Sequence, residues 1–571
     1  MTRYMFNRTR ECYAVVQYLS VVVQSIMASS WDTLRYYKYS SYAARSAKQI
    51  QNWLNKCTDK HLDGCTKPGS STLPKRLILL DNRRNGERLI EVKQLQDTYP
   101  KYLALSYRWG EKNFFETLSS NLSKMESRIP HNQLPRTIKD VFHIARLLNF
   151  QYVWIDSLCI VQKSDEWKTE AAKMGDVYAN AALVIAAMAS RSVYDGLFVK
   201  HKALSQKEKD EFHYIMRTCR TMTQKQWHER IKRFYPLLCR GWAFQERLLA
   251  RRIVHFTVME LIWECNEDRW CECGNEAQSI SLSGKINNLN SALRVTRRDA
   301  DPEKTRLMWR ECVKSFSKRD LTQLDDRLFA ISGIASYIRG PNTDAYVNLY
   351  HHGLWADALP WDLLWYCDPT SDFESTKSSR SPSYSWASVD CGIEWPSCNH
   401  WLPEEKFSMA ISTGTCIEFR SKSNERSTGA RICVVDKIEN DSLTITSRMT
   451  PVRVIAEKEA EHQQNSLKCS WLVQNTNSDG LQTLPFYPDI KLDAEILSKS
   501  VPYYYVEIVG MEEESTARQA GLIIRRILEA NNDQPIRYER VGMAGELSCN
   551  HIVGSSLGWL RGEENQTIVL I

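Results

Sequence analysis

Between residues 102 and 260, runs of buried-type apolar residues alternate with segments of helical period. Leu103 to Tyr107 is a short continuous apolar run of the kind that forms a strand covered on both faces. Thr137 stands before a stripe at Ile138, Val141, Phe142, Ala145 and Leu148, with Asp140 three residues on as a capping-box partner, so a helix is predicted there. Tyr152 to Ile155 reads as the next strand. Trp167, Ala171, Met174, Tyr178 and Ala181 mark the next helix, and Leu183 to Ala187 a third strand. Trp242 to Leu249 reads as a helix, followed by paired strands at Ile253 to Thr257 and Leu261 to Glu264. Strand and helix in alternation predict a parallel α/β sheet.

The flanks follow other patterns. Residues 1–74 are predicted to be a helical N-terminal region, and residues 75–95 predict a hairpin in which LILL and RLIEV flank an Asn/Arg/Gly-rich turn. Residues 200–235 are polar and charged, and read as a helical insertion. Residues 266–370 read as a helical region and residues 371–383 as a polar, Ser-rich linker. From 384 to 571 the chain is predicted to be β-rich, with candidate strands such as SYSWASV, ARICVVDKI, SLTITSR and YYYVEIVG.

Length and composition narrow the class. A chain of 571 residues implies two or three domains, and 18 Trp with 25 Tyr exclude a disordered chain. The net charge of +7 is spread out and forms no basic stripe, so nucleic acid is not expected as a partner. The apolar run from Cys12 to Ala28 is broken by Gln17 and Gln24 and is short for a membrane helix. It reads as a packed helix or an N-terminal extension, with a signal peptide as the alternative, and no membrane association is expected. The 17 cysteines follow no disulfide framework, which points to a reducing, cytoplasmic compartment. Cys57, His61 and Cys65 lie at i, i+4, i+8 and could share a helix face. With no fourth ligand evident the expectation is buried thiols and no metal, and the same holds for Cys265, Cys271 and Cys273.

Nucleotide-loop, zinc-protease and hydrolase-elbow motifs are absent from the sequence. Polar residues at strand ends are therefore the candidate site. Ser106 and Arg108 follow the first strand, and Asp156 and Ser157 the second, at the carboxyl edge where open α/β sheets bind ligands. Glu246 lies four residues after Trp242 on one helix face. It is either a general base or the partner of a neighbouring arginine. Glu170 is the runner-up carboxylate, with Lys173 as its structural partner. Cys159 and His255 read as a buried thiol and a core histidine.

Three segments, YLALSYRWG (102–110), YVWIDSLCIVQKSDEWKTEAAKMGDVYANA (152–181) and RGWAFQERLLARRIVHF (240–256), together resemble the HET (heterokaryon incompatibility) domain of filamentous fungi. DGLF (195–198), DDRLFAISGIA (325–335), SYSWASVD (383–390) and YERVG (538–542) resemble the region downstream of it. The resemblance implies a HET domain over 75–265, a role in self/non-self recognition and programmed cell death, and partners that are other incompatibility proteins or further copies of this chain.

HET domains are in turn similar to TIR domains, whose first strand reads like Leu103 to Arg108 and whose catalytic helix has the Trp242–Glu246 spacing. That similarity implies a flavodoxin-like sheet and NAD as the candidate substrate rather than a bound cofactor. Glu246 would be catalytic, with Ser106, Arg108, Asp156, Ser157 and Trp242 lining the pocket. The alternative is an adaptor without catalysis.

Overall fold

The computed structural model describes residues 40–62, 64–65, 72–81, 86–96, 99–110, 113–199, 232, 234–272, 302–339, 350–368, 381–396, 409–413, 416–419, 430–439, 441–456, 471–476, 483–489, 502–513, 516–527, 535–545, 560 and 563–571. The apolar run 12–28, most of the insertion 200–235, the linker 371–380 and Cys273 lie outside them. Two compact units divide the chain. One is formed by residues 1–205 and 250–279, the other by 206–249 and 280–571.

The first unit contains helix α1 (residues 40–60) and an eight-stranded sheet. Its strands are β1 (Arg76–Leu80), β2 (Glu87–Glu91), β3 (Tyr102–Ser106), β4 (Tyr152–Trp154), β5 (Leu183–Ala186), β6 (Arg252–Phe256), β7 (Leu261–Cys265) and β8 (Arg269–Cys271). They lie in the order β2-β1-β4-β3-β5-β6-β7-β8. The middle four, β4-β3-β5-β6, are parallel, and antiparallel hairpins close both sides. Every residue of β3, β5, β6 and β7 is buried, which is why β3 and β5 read as near-continuous apolar runs, while β6 and β7 also bury Arg252, His255 and Glu264.

Helices α2 (Leu122–Ser127), α3 (Arg136–Leu147), α4 (Asp156–Cys159) and α5 (Glu166–Asn180) connect the strands. The Tyr178 hydroxyl of α5 donates to Leu105 O of β3 at 2.9 Å, and Tyr102 Oη of β3 donates to Val177 O of α5 at 2.5 Å. This unit therefore holds the expected α/β sheet, with the hairpin expected over 75–95 formed by β1 and β2.

One local expectation fails. Pro135, not a Thr137 capping box, precedes α3, and no side chain caps that helix. Thr137 Oγ1 and Asp140 Oδ2 instead accept hydrogen bonds from the amides of Gly196 (3.1 Å) and Leu197 (2.8 Å). The loop over 190–197 competes for the capping groups and wins, because its own buried amides need acceptors. Gly196 has φ +84°, and a Cβ there would stand 2.6 Å from Asp140 Oδ2.

The second unit holds α6 (Ala243–Leu249), α7 (Pro302–Ser317), α8 (Phe329–Arg339) and an eleven-stranded sheet. Six strands of that sheet close a ring of antiparallel pairs. They run 442–456 to 471–475, 483–488, 537–545, 516–526, 503–513 and back to 442–456. Closure removes the exposed edges of these six strands. Val452, Val473, Phe486, Tyr505, Ile523 and Val541 belong to the core they enclose. Arg540 and Asp489 are fully buried as an ion pair at 2.9 Å, with the guanidinium 3.4 Å from the Trp365 ring centre.

The β-rich C-terminal expectation holds, with one correction there and one in the region 266–370 that was expected to be helical. SYSWASV is not a strand. Ser385 Oγ accepts from the Ala387 amide and caps a 3-10 turn over Trp386–Ser388. Residues 350–365 form short ladders and 3-10 turns rather than helix.

Cys367 and Cys391 form a disulfide beside the ladder between Tyr366–Cys367 and Ile393–Glu394, so the cysteines are not all free thiols. Among the described residues no helix is long and apolar enough to cross a membrane.

Candidate functional site

Strand β3 ends at Ser106, and β4 runs into α4 at Asp156, so the two parallel strands deliver the predicted polar residues to one edge. Ser106, Asp156 and Ser157 are buried and Arg108 is half-buried. The groups around Asp156 and Ser157 are tied together. Trp109 Nε1 donates to Asp156 Oδ2 at 2.9 Å, and the Ser157 amide donates to Asp156 Oδ1 at 2.7 Å. Tyr107 Oη donates to Ser157 Oγ at 2.7 Å. Gln162 Nε2 donates to Asp156 O, and the Thr117 amide to Ser157 O.

Gly110, with φ +86°, brings the chain against Ser192, where a Cβ would meet Ser192 Cβ at 2.7 Å. Sequence reasoning found the two serines and the aspartate. It missed Tyr107, Trp109, Thr117 and Gln162. The first two stand inside the first motif, alternating with residues that were named.

Trp242 and Glu246 belong to the second unit. All seven residues of α6 are buried, with Glu246 at 1% exposure. Trp242 Nε1 donates to Asp326 Oδ2 at 3.3 Å. Burial pushes the Asp326 carboxyl above its usual range, and the indole bond opposes that shift. Gln245 Oε1 accepts from the Gly333 amide at 3.2 Å, which ties α6 to α8. The DDRLFAISGIA segment therefore partners the third motif, a link that separation in sequence conceals. A cavity with room for about one water molecule lies beside α6, lined by Leu238, Ala243, Phe244, Arg247, Leu248 and Arg319. Burial lowers Arg319 to about 10, and the Arg247 charge acts the same way.

The other candidates have structural partners. Glu170 Oε1 accepts from Lys173 Nζ at 3.0 Å, and its Oε2 from the Lys75 amide at 3.4 Å. The Cys159 thiol is pushed up to about 12 by burial, which leaves it a poor nucleophile. His255 Nε2 faces Glu264 Oε2 at 3.1 Å with both residues buried. Cys57, His61 and Cys65 do have a fourth neighbour, Cys265, brought to them by the end of β7.

Residues 102–246, about a quarter of the chain, match the family model described as Heterokaryon incompatibility protein (HET). This chain therefore carries a HET domain, and with it an implied role in heterokaryon incompatibility. No curated protein and no solved structure gives a significant match.

Proposed function

We propose that this chain is a cytoplasmic effector of fungal incompatibility, driving programmed cell death after self/non-self recognition, and that it acts by association. The HET match over 102–246 is the observation that carries the role. The hydrogen bonding at the sheet edge supports association. Asp156 and Ser157 accept bonds from Trp109 and Tyr107, as suits a rigid scaffold that presents a surface. The partners are further copies of this chain or other incompatibility proteins.

Induced expression of the full chain in a fungal host tests the role. Death is expected from wild type. Trp109→Ala, which strips Asp156 of its indole donor, is expected to spare the host while accumulating to wild-type levels. Unimpaired growth with wild-type chain would overturn the proposal.

A second reading, NAD hydrolysis, has its own support. In chain order the parallel strands run second-first-third-fourth, the order that begins flavodoxin-like sheets. Glu246 is a buried carboxylate, and burial suits a general base. Under this reading, purified full-length chain at high concentration consumes NAD and Glu246→Gln does not. Absence of NAD loss in wild type would leave recruitment as the mode of action.

A further inference from the structure

The end of helix α1 with the turns that continue it, and the β7–β8 hairpin, lie some two hundred residues apart in sequence, yet four side chains from them converge. One ligand atom each from Cys57, His61, Cys65 and Cys265 lies within 4.8 Å of all the others. The local chain explains the placement. The His61 amide donates to Cys57 O at 3.0 Å and the Cys65 amide to His61 O at 3.2 Å, so one helical face carries all three. Cys265 ends β7, at a turn where its amide donates to Asp268 O at 2.9 Å.

Each neighbour of the cluster suits metal-bound thiolates and a neutral imidazole. The Asp268 amide donates to Cys265 Sγ at 3.3 Å, and Arg252 Nε donates to Cys57 Sγ at 3.3 Å. Both bonds stabilise negative sulfur. His61 Nδ1 lies 3.5 Å from Cys265 Sγ, while its other nitrogen, Nε2, faces Asp268 Oδ2 at 3.5 Å. A carboxylate on the far nitrogen is the usual support of a metal-bound histidine, because it fixes which nitrogen is free to coordinate. Trp270 stacks on the imidazole at 5.9 Å and 21°, holding the ring plane. Adjacent ligands on a tetrahedral zinc stand roughly 3.3–3.8 Å apart. The observed sulfur–nitrogen separation fits that edge.

We propose that Cys57, His61, Cys65 and Cys265 form a structural Cys3His zinc site clamping α1 onto the β7–β8 hairpin. Three sulfurs and one nitrogen select zinc over the oxygen-preferring cations. Cys57 and Cys65 are fully buried and Cys265 nearly so. Four protein ligands fill a tetrahedron and leave no position for a substrate, so the site is structural rather than catalytic. Cys271, though buried in the same hairpin, is not among the four.

The test is elemental analysis of the full chain, purified reduced and without chelator. About one zinc per chain is expected in wild type and in Cys271→Ser, and well under half that in Cys57→Ser and Cys265→Ser. Because the variants can misfold, wild type is also stripped and titrated with Co2+. Tetrahedral thiolate sites give strong visible bands and a sulfur-to-cobalt charge-transfer band, and zinc then bleaches both. Zinc-free wild type without those bands overturns the proposal. So does full zinc occupancy in folded Cys265→Ser.

Discussion

At residue scale, the clearest electrostatic device is Glu166 at the start of α5. Its carboxylate accepts from Arg76 Nη1 at 2.5 Å and Nη2 at 3.1 Å, and pairs with Lys75. Burial raises its pKa, but these bonds outweigh burial and hold it at about 2. A depressed carboxyl pKa stabilises the fold above the unfolded value near 4.5, and that contribution disappears as pH falls toward 2. The full span corresponds to about 3 kcal/mol, and solvent screening of this partly exposed carboxylate brings it to about 2–3 kcal/mol. Glu166→Gln is therefore expected to destabilise the chain by about that amount at pH 7, and more where Arg76 is left buried without its partner. As pH falls from about 4.5 toward 2 the difference should shrink. Urea unfolding of both proteins from pH 7 to pH 2.5 measures it, and a pH-independent difference would reject the linkage.

At element scale, the sequence pattern was informative wherever one buried face decided the structure. The apolar runs of β3 and β5 and the stripe of α3 were legible because burial alone sets them. Capping at α3 was not, because Thr137 and Asp140 take acceptors' roles for a loop some sixty residues away. SYSWASV failed for a related reason: its alternation mimics a strand, but Ser385 bonds locally and turns the chain. Among candidate site residues, Asp156 and Ser157 were legible from their position after β4. The partner of Trp242 and the fourth group beside Cys57 were not, since both depend on distant segments.

The α3 bonds make a prediction at this scale. Asp140→Ala leaves the buried Leu197 amide without its acceptor and is expected to cost about 1–3 kcal/mol. Asp140→Asn retains an acceptor oxygen and should recover most of it. Equal losses in the two variants, by chemical denaturation, would rule out the hydrogen bond as the cause.

At the scale of the whole molecule, the path of the chain matters more than its order of motifs. The second unit takes residues 206–249 from the middle of the sequence and 280–571 from its end. Helix α6 is thus packed by elements that follow it: Gln245 bonds Gly333 of α8, Phe244 lies 6.0 Å from Phe316 of α7, and the Arg319 guanidinium sits 4.7 Å from the Phe244 ring centre. A fragment ending at residue 279 keeps the whole HET match but loses every one of these partners. Phe244, Leu248 and Leu249 are each at most 6% exposed in the full chain. Burial of each side chain is worth about 1.5–3 kcal/mol, so uncovering the three creates a sticky surface. Fragment 1–279 is expected to bind a hydrophobic dye strongly and to elute as aggregate, while the full chain does neither at equal concentration. Phe244→Ser with Leu248→Ser in the fragment should reduce both signals. A soluble fragment that binds no dye would show that α6 finds cover without residues 280–571. In that case the HET domain could be tested for death and NAD loss on its own.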